Sequence, residues 1–167
     1  MLLSAFTLFH VIISLVGIAS GLVVLYGFLT SNRSEGWTTL FLTTTVATSA
    51  TGFLFPVQHF LPSHAVGIIS LILLGIAIPA RRVFHLAAAW GRIFVGTSVT
   101  ALYLNVFVLV VQLFLKVPAL KALAPTQSEP PFQIAQLTVL LLFIVLGTLA
   151  TVRFRSNPAR TAVTSRL

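Results

Sequence analysis

Residues Ile93–Val117, IFVGTSVTALYLNVFVLVVQLFLKV, decide what kind of molecule this is. No charged side chain occurs from Ile93 to Leu115, and a run of about 20 apolar residues is what a helix needs to cross a bilayer. The same run carries Thr97, Ser98, Thr100, Tyr103, Asn105 and Gln112. An Asn in the middle of such a helix is costly unless it meets a partner, so it is expected to face protein or water and not lipid. Ser98, Asn105 and Gln112 are spaced seven apart, which sets them along one side of a helix and predicts that this side faces the inside of a bundle.

Outward from that run, the chain reads as all-α and polytopic, with five transmembrane helices. The expected spans are 6–28, 38–60, 63–80, 93–117 and 132–152. Residues 36–80 hold no formal charge, yet one helix of that length would be more than twice as long as the bilayer is thick. The turn is therefore placed at Pro56 and at His59–His64, HFLPSH. A β-barrel is disfavoured because the apolar runs do not alternate.

Composition agrees. Of 167 residues 57% are hydrophobic and 7% charged, too little charge to cover a soluble domain of this size. The whole chain, 1–167, reads as a single transmembrane domain ending in a basic tail, 153–167. The absence of cysteine excludes disulfides, thiolate metal sites and thiol catalysis. Met1–Leu3 offers no basic start, so no cleaved signal peptide is expected.

Ten Lys plus Arg oppose two acids. The charges sit at span ends, which makes them a topology signal and not a nucleic-acid footprint. Arg33, Arg81, Arg82, Arg92, Arg153, Arg155, Arg160 and Arg166 fall on one side under five spans, and Lys116 and Lys121 on the other. The Arg-rich side is expected to be cytoplasmic, with the N-terminus outside and the C-terminus inside, in the inner membrane of a bacterium. The tail is expected to lie against anionic lipids, each Arg contributing on the order of 1 kcal/mol.

A repeat is visible. Val16-Gly17-Ile18-Ala19-Ser20 resembles Val66-Gly67-Ile68-Ile69-Ser70, and 46–51, VATSAT, resembles 95–100, VGTSVT. Two matches at nearly the same offset suggest a duplicated helical hairpin, spans 1–2 and 3–4, plus a fifth helix. Gly17 and Gly21 have GxxxG spacing, read as packing inside the bundle in preference to homodimerisation.

Glu35 and Glu129, the only acids, lie in connections on opposite sides. Ion-coupled transport usually places a carboxylate at mid-membrane, and paired-carboxylate or Ser-His-Asp catalysis lacks its acids, so the reading leans away from an enzyme. Three functional readings follow. The first is a small non-enzymatic membrane protein, such as an accessory subunit of a membrane complex. Its outer-facing polar pocket would bind a cofactor, lipid or small ligand through His10, His59, His64, Asn105, Gln112, Gln133 and Gln136. The second is a passive pore or small-solute transporter, oligomeric, lined by Thr44, Thr48, Thr51, Thr97, Ser98, Thr100 and Tyr103 of spans 2 and 4. The third is a b-type haem electron carrier, with His10 opposite His59 or His64. Imidazoles also bind metal ions and sense pH, but they are often simple interfacial anchors, the reading given to His85. Span 2 hydroxyls have a structural reading too, bonding back to their own helix. The Pro-rich connection 118–131 is either a lid over the outer site or a spacer.

Overall fold

A computed structural model describes residues 2–32, 34–55 and 62–154. Among these residues every regular element is a helix: α1 (Leu2–Thr30), α2 (Glu35–Gly52), α3 (Pro62–Arg82), α4 (Ala89–Lys116), α5 (Pro118–Leu123) and α6 (Pro130–Arg153). Four of them are long and apolar enough to cross a membrane, over Ser4–Thr30, Ser63–Arg82, Ala89–Lys116 and Pro130–Arg153. α2 is shorter, 18 residues or about 27 Å, and its Thr and Ser side chains make it the least apolar of the five long helices.

The helix boundaries differ from the expected ones in three places. α2 starts before Thr38 and ends at Gly52, where Phe53 and Leu54 turn back onto Ala50 and Thr51, so the span does not reach Phe60. α4 begins four residues before Ile93 and carries Arg92 inside its helix; a long Arg stem can run along an apolar surface while its head stays at the interface. The connection after α4 contains a short helix, α5, opened by Pro118 at its first turn.

α1, α2, α3 and α4 pack each on the next, α4 closes back on α1, and α6 lies against α4 and α1. α4 touches every other helix, α5 included. Short loops force neighbours antiparallel, so the end of α1, the start of α2, the turn 83–88 and the end of α6 share one end of the bundle. Phe154 confirms this, resting on Phe28 with rings 6.1 Å apart and over the site of Gly91. Arg81, Arg82, Arg92 and Arg153 gather at this basic end, with Trp37 and Trp90 as interface-level aromatics. Lys116, Lys121 and the 53–55 turn lie at the opposite end.

The core is made of Phe41, Leu74, Val95 and Leu102 with fully buried Ala77, Ala80, Ala101 and Ala150. Small residues let backbones approach closely where water supplies no drive for helices to associate. Outside, Leu8, Tyr26, Leu54, Ile72, Leu141 and Val152 are each more than half exposed. An apolar exterior on this scale belongs in lipid.

The Gly17–Gly21 face is turned inward. A Cβ at Gly21 would sit 2.5 Å from Leu102 Cδ1 and 2.9 Å from the Phe41 ring, whereas one at Gly75 would meet nothing within 4 Å. Gly21→Ala is expected to destabilise the bundle by about 1–3 kcal/mol through overpacking, and Gly75→Ala to stabilise it by about 0.5–1 kcal/mol. Unfolding in mixed detergent micelles, followed by Trp fluorescence, checks both. Equal effects would contradict the inward placement.

Candidate functional site

The hydroxyls of the apolar helices divide into three sets. Ser14, Ser20, Thr44, Thr97, Thr100, Thr148 and Thr151 each donate to a carbonyl one turn earlier, at 2.6–2.8 Å. This removes their polarity from lipid without involving another helix. A second set joins helices. Ser49 Oγ donates to Ser70 Oγ at 3.0 Å between α2 and α3, and Asn105 Nδ2 donates to Thr45 Oγ1 at 3.4 Å between α4 and α2. Thr45 is wholly buried, so the Asn105 amide points across the bundle and not into lipid. The third set, Thr48 Oγ1 and Ser98 Oγ, is buried without a partner among the described residues.

The residues of the proposed pore do not face one another. Thr44 lies against Gly17 of α1 and Thr51 bonds His10 of α1, so this stripe of α2 looks toward α1. Thr100 is exposed, and Thr97, like Thr100, bonds only its own helix. Tyr103 packs its ring on Phe143 of α6, 5.8 Å away. Periodicity identifies a shared face but not the neighbour that the face meets.

At the end opposite the arginines, His10 of α1 sits 2.8 Å from Thr51 Oγ1, through Nδ1. Thr51 Oγ1 also lies 2.7 Å from Ala47 O, one turn earlier on its own helix. With the hydroxyl donating to that carbonyl, its oxygen accepts from His10 Nδ1–H and Nε2 carries the ring lone pair; in the other tautomer the hydroxyl donates to Nδ1. Phe55 meets this imidazole edge-on at 5.1 Å and Phe6 at 4.9 Å in turn. Gly52 leaves room beside the ring, since a Cβ there would stand 3.9 Å from His10 Cε1. His64 packs against Phe53, the first residue of the same turn, at 5.6 Å. His59 lies outside the described residues.

The expected amides are elsewhere. Gln133 Nε2 donates to Ser128 O at 2.7 Å, tying α6 to its preceding loop, and Gln136 Nε2 donates to Phe107 O at 3.2 Å, joining α6 to α4. Gln112 is exposed. A seven-residue spacing drifts by about 20° per heptad on a straight helix, and by the second heptad the drift has carried Gln112 off the inner face that Ser98 and Asn105 share. His85 is exposed in the turn 83–88. Among the described residues no three His, Asp or Glu side chains come together.

The connection 118–131 has its own structure. Gln127 Nε2 donates to Val111 O at 3.0 Å. Glu129, the N-cap residue of α6, accepts from the Thr126 hydroxyl at 2.8 Å and from the backbone N–H groups of Thr126 and Ser128, both at 3.1 Å. Partial desolvation pushes the Glu129 carboxyl up, but these bonds outweigh it and hold the group below its ordinary value of 4.5.

Comparison with profiles of known families, with characterised proteins and with solved structures finds no match to this chain.

Two outcomes are expected. In a double-mutant cycle, Asn105→Leu with Thr45→Val should show coupling of about 0.6 kcal/mol, the usual scale for hydrogen bonds within membranes; zero coupling would deny the contact. Because the folded pKa of Glu129 is depressed, its contribution to the loop is complete above pH 4.5 and lost as pH falls through the lower folded value. The amide proton shifts of Thr126 and Ser128 should titrate with a midpoint below 4.5, and not at all in Glu129→Gln.

Proposed function

We propose that the chain is a small non-enzymatic membrane protein that binds a ligand at the end of the bundle opposite its arginines, with His10 as the contacting residue. The observation that carries this reading is the 2.8 Å contact between His10 Nδ1 and Thr51 Oγ1, which anchors the imidazole through one nitrogen and leaves Nε2 for a ligand. A histidine held this way presents Nε2 as an acceptor in one orientation, the arrangement that ligand- and metal-binding imidazoles require. The ligand is a molecule with a hydrogen-bond donor and an apolar body that fits the Phe6 and Phe55 rings: a quinol-like, lipid or cofactor headgroup. The narrower haem reading needs a second imidazole, for which His59 and His64 are the candidates. Asn105, Gln133 and Gln136 serve in this proposal as the joints that hold α2, α4 and α6 around the site.

We also propose that α2 is a fifth crossing. Its start meets Arg81 of α3 through Glu35 and its finish meets His10 of α1, so it runs between the same two ends as its neighbours. Five crossings put the basic end in the cytoplasm of a bacterium and the N-terminus outside, with the tail 153–167 on anionic lipid. A duplicated hairpin is supported by matched burial: Ser20 and Ser70 are both buried, as are Ser49 and Ser98.

The test is mass spectrometry and optical spectroscopy of the protein purified from its membrane in mild detergent. A co-purifying small molecule should accompany the wild type and be lost in His10→Ala and in Thr51→Val, with the elution volume unchanged. A Soret band lost with it would specify haem. The same small molecules in the wild type and in His10→Ala would overturn the site.

A further inference from the structure

A second site lies at the basic end, independent of the His10 reading. Between α2 and α3 runs an open groove of about 260 Å³. Thr39, Arg81 and Arg82 line its end-of-helix portion, and Leu42, Thr43, Val46 and Ile78 continue it toward mid-membrane. Arg81 is the unusual member. Its side chain is only 9% exposed, although it is in the last turn of α3. Nη2 is engaged, pairing with the Glu35 carboxylate and reaching Glu35 O at 3.3 Å and Thr39 Oγ1 at 3.4 Å. Nη1 is buried and has no hydrogen-bond partner among the described residues. A guanidinium N–H hidden from water without an acceptor is costly, and the cost is greater beside lipid. Arg82 is exposed and makes no ion pair among the described residues. Arg81 and Arg82 therefore both line the mouth of a groove whose floor is apolar, and of the two only Arg81 is shown paired with a carboxylate among the described residues.

We propose that this groove seats one anionic phospholipid of the leaflet at the basic end. Its phosphate is held by Arg81, Arg82 and the Thr39 hydroxyl, and the start of one acyl chain lies past Thr43 along Leu42 and Ile78. A phosphate oxygen is the strongest acceptor available at that depth and matches the planar donor fork of arginine. The start of α2, with its outward backbone N–H groups, adds a favourable field for an anion. The apolar continuation distinguishes a lipid from a free anion, because a small anion leaves Leu42 and Ile78 uncovered. The site differs from the basic tail in being stoichiometric: one lipid per chain, in a fixed place.

Native mass spectrometry of the full-length protein tests this. The protein in mild detergent is offered phosphatidylglycerol and phosphatidylcholine with identical acyl chains at equal concentration. One phosphatidylglycerol should be retained per chain, with a preference of roughly tenfold, the scale of one charge-assisted hydrogen bond. Arg82→Gln and Thr43→Phe, which leave the Arg81–Glu35 pair in place, should each reduce that preference severalfold. Arg81→Gln should abolish it, and Arg153→Gln at the same end should leave it unchanged. Inorganic phosphate at the same concentration should not displace the lipid. Equal retention of the two lipids, an equal loss in Arg153→Gln, displacement by phosphate alone, or a lipid-free dimer covering the groove would each overturn the proposal.

Discussion

The structure depends on an amide in the wrong solvent. Asn105 stands inside a helix with no charge for two dozen residues, and lipid offers its side chain nothing to bond. The bundle answers by placing the Thr45 hydroxyl within its reach, on the helix diagonally across the ring. That contact fixes the rotation of α4 about its own axis. Once it is set, Ser98, Ala101 and Leu102 are inside, Tyr103 is directed at α6, and Thr100 is outside, where it folds its hydroxyl onto Gly96 O. α4 then serves as the post against which all other helices pack.

The polar groups of this chain use two devices. Some hydroxyls bond the turn before them, whether they face lipid, as Thr100 does, or protein, as Ser20 does, and others bond another helix. Ser49–Ser70 and Asn105–Thr45 are of the second kind. His10–Thr51 combines both: the same hydroxyl lies within hydrogen-bond distance of its own helix and of α1. A threonine in α2 thereby holds a histidine 41 residues away. Two ends of unlike character follow. One collects arginines, both Trp side chains and the Arg81–Glu35 pair; the other carries two lysines, the imidazoles of His10 and His64, and a loop organised by Glu129.

Much of the fold was legible in the sequence. Apolar runs bounded by Pro and Arg located α1, α3, α4 and α6, and the mid-span Asn correctly implied an inward face for α4. α2 was harder, because Thr-rich sequence has the hydropathy of neither a clear span nor a loop, and its end at Gly52 carries no proline or charge. α5 is too short to have a period. The site was legible only in its parts. His10 and Thr51 were each singled out, but for different functions, and no spacing along the chain links them. The repeat set the Thr44–Thr48–Thr51 face opposite Thr97 and Thr100, whereas Thr44 and Thr51 meet α1; a likeness between α2 and α4 says nothing of which helix each packs on. The buried guanidinium of Arg81 had no sequence signal beyond its charge, which read as topology alone.

The inward orientation of the α4 polar face is the claim on which both sites rest, since it sets where α1, α2 and α3 can stand. The absence of native cysteine allows nitroxides to be attached one at a time along residues 97–105 in bilayers. Collision with oxygen, which concentrates in lipid, should be lowest at 98, 101 and 102, low at 105 and highest at 100. An inverted pattern, with position 105 as accessible to oxygen as position 100, would contradict the account.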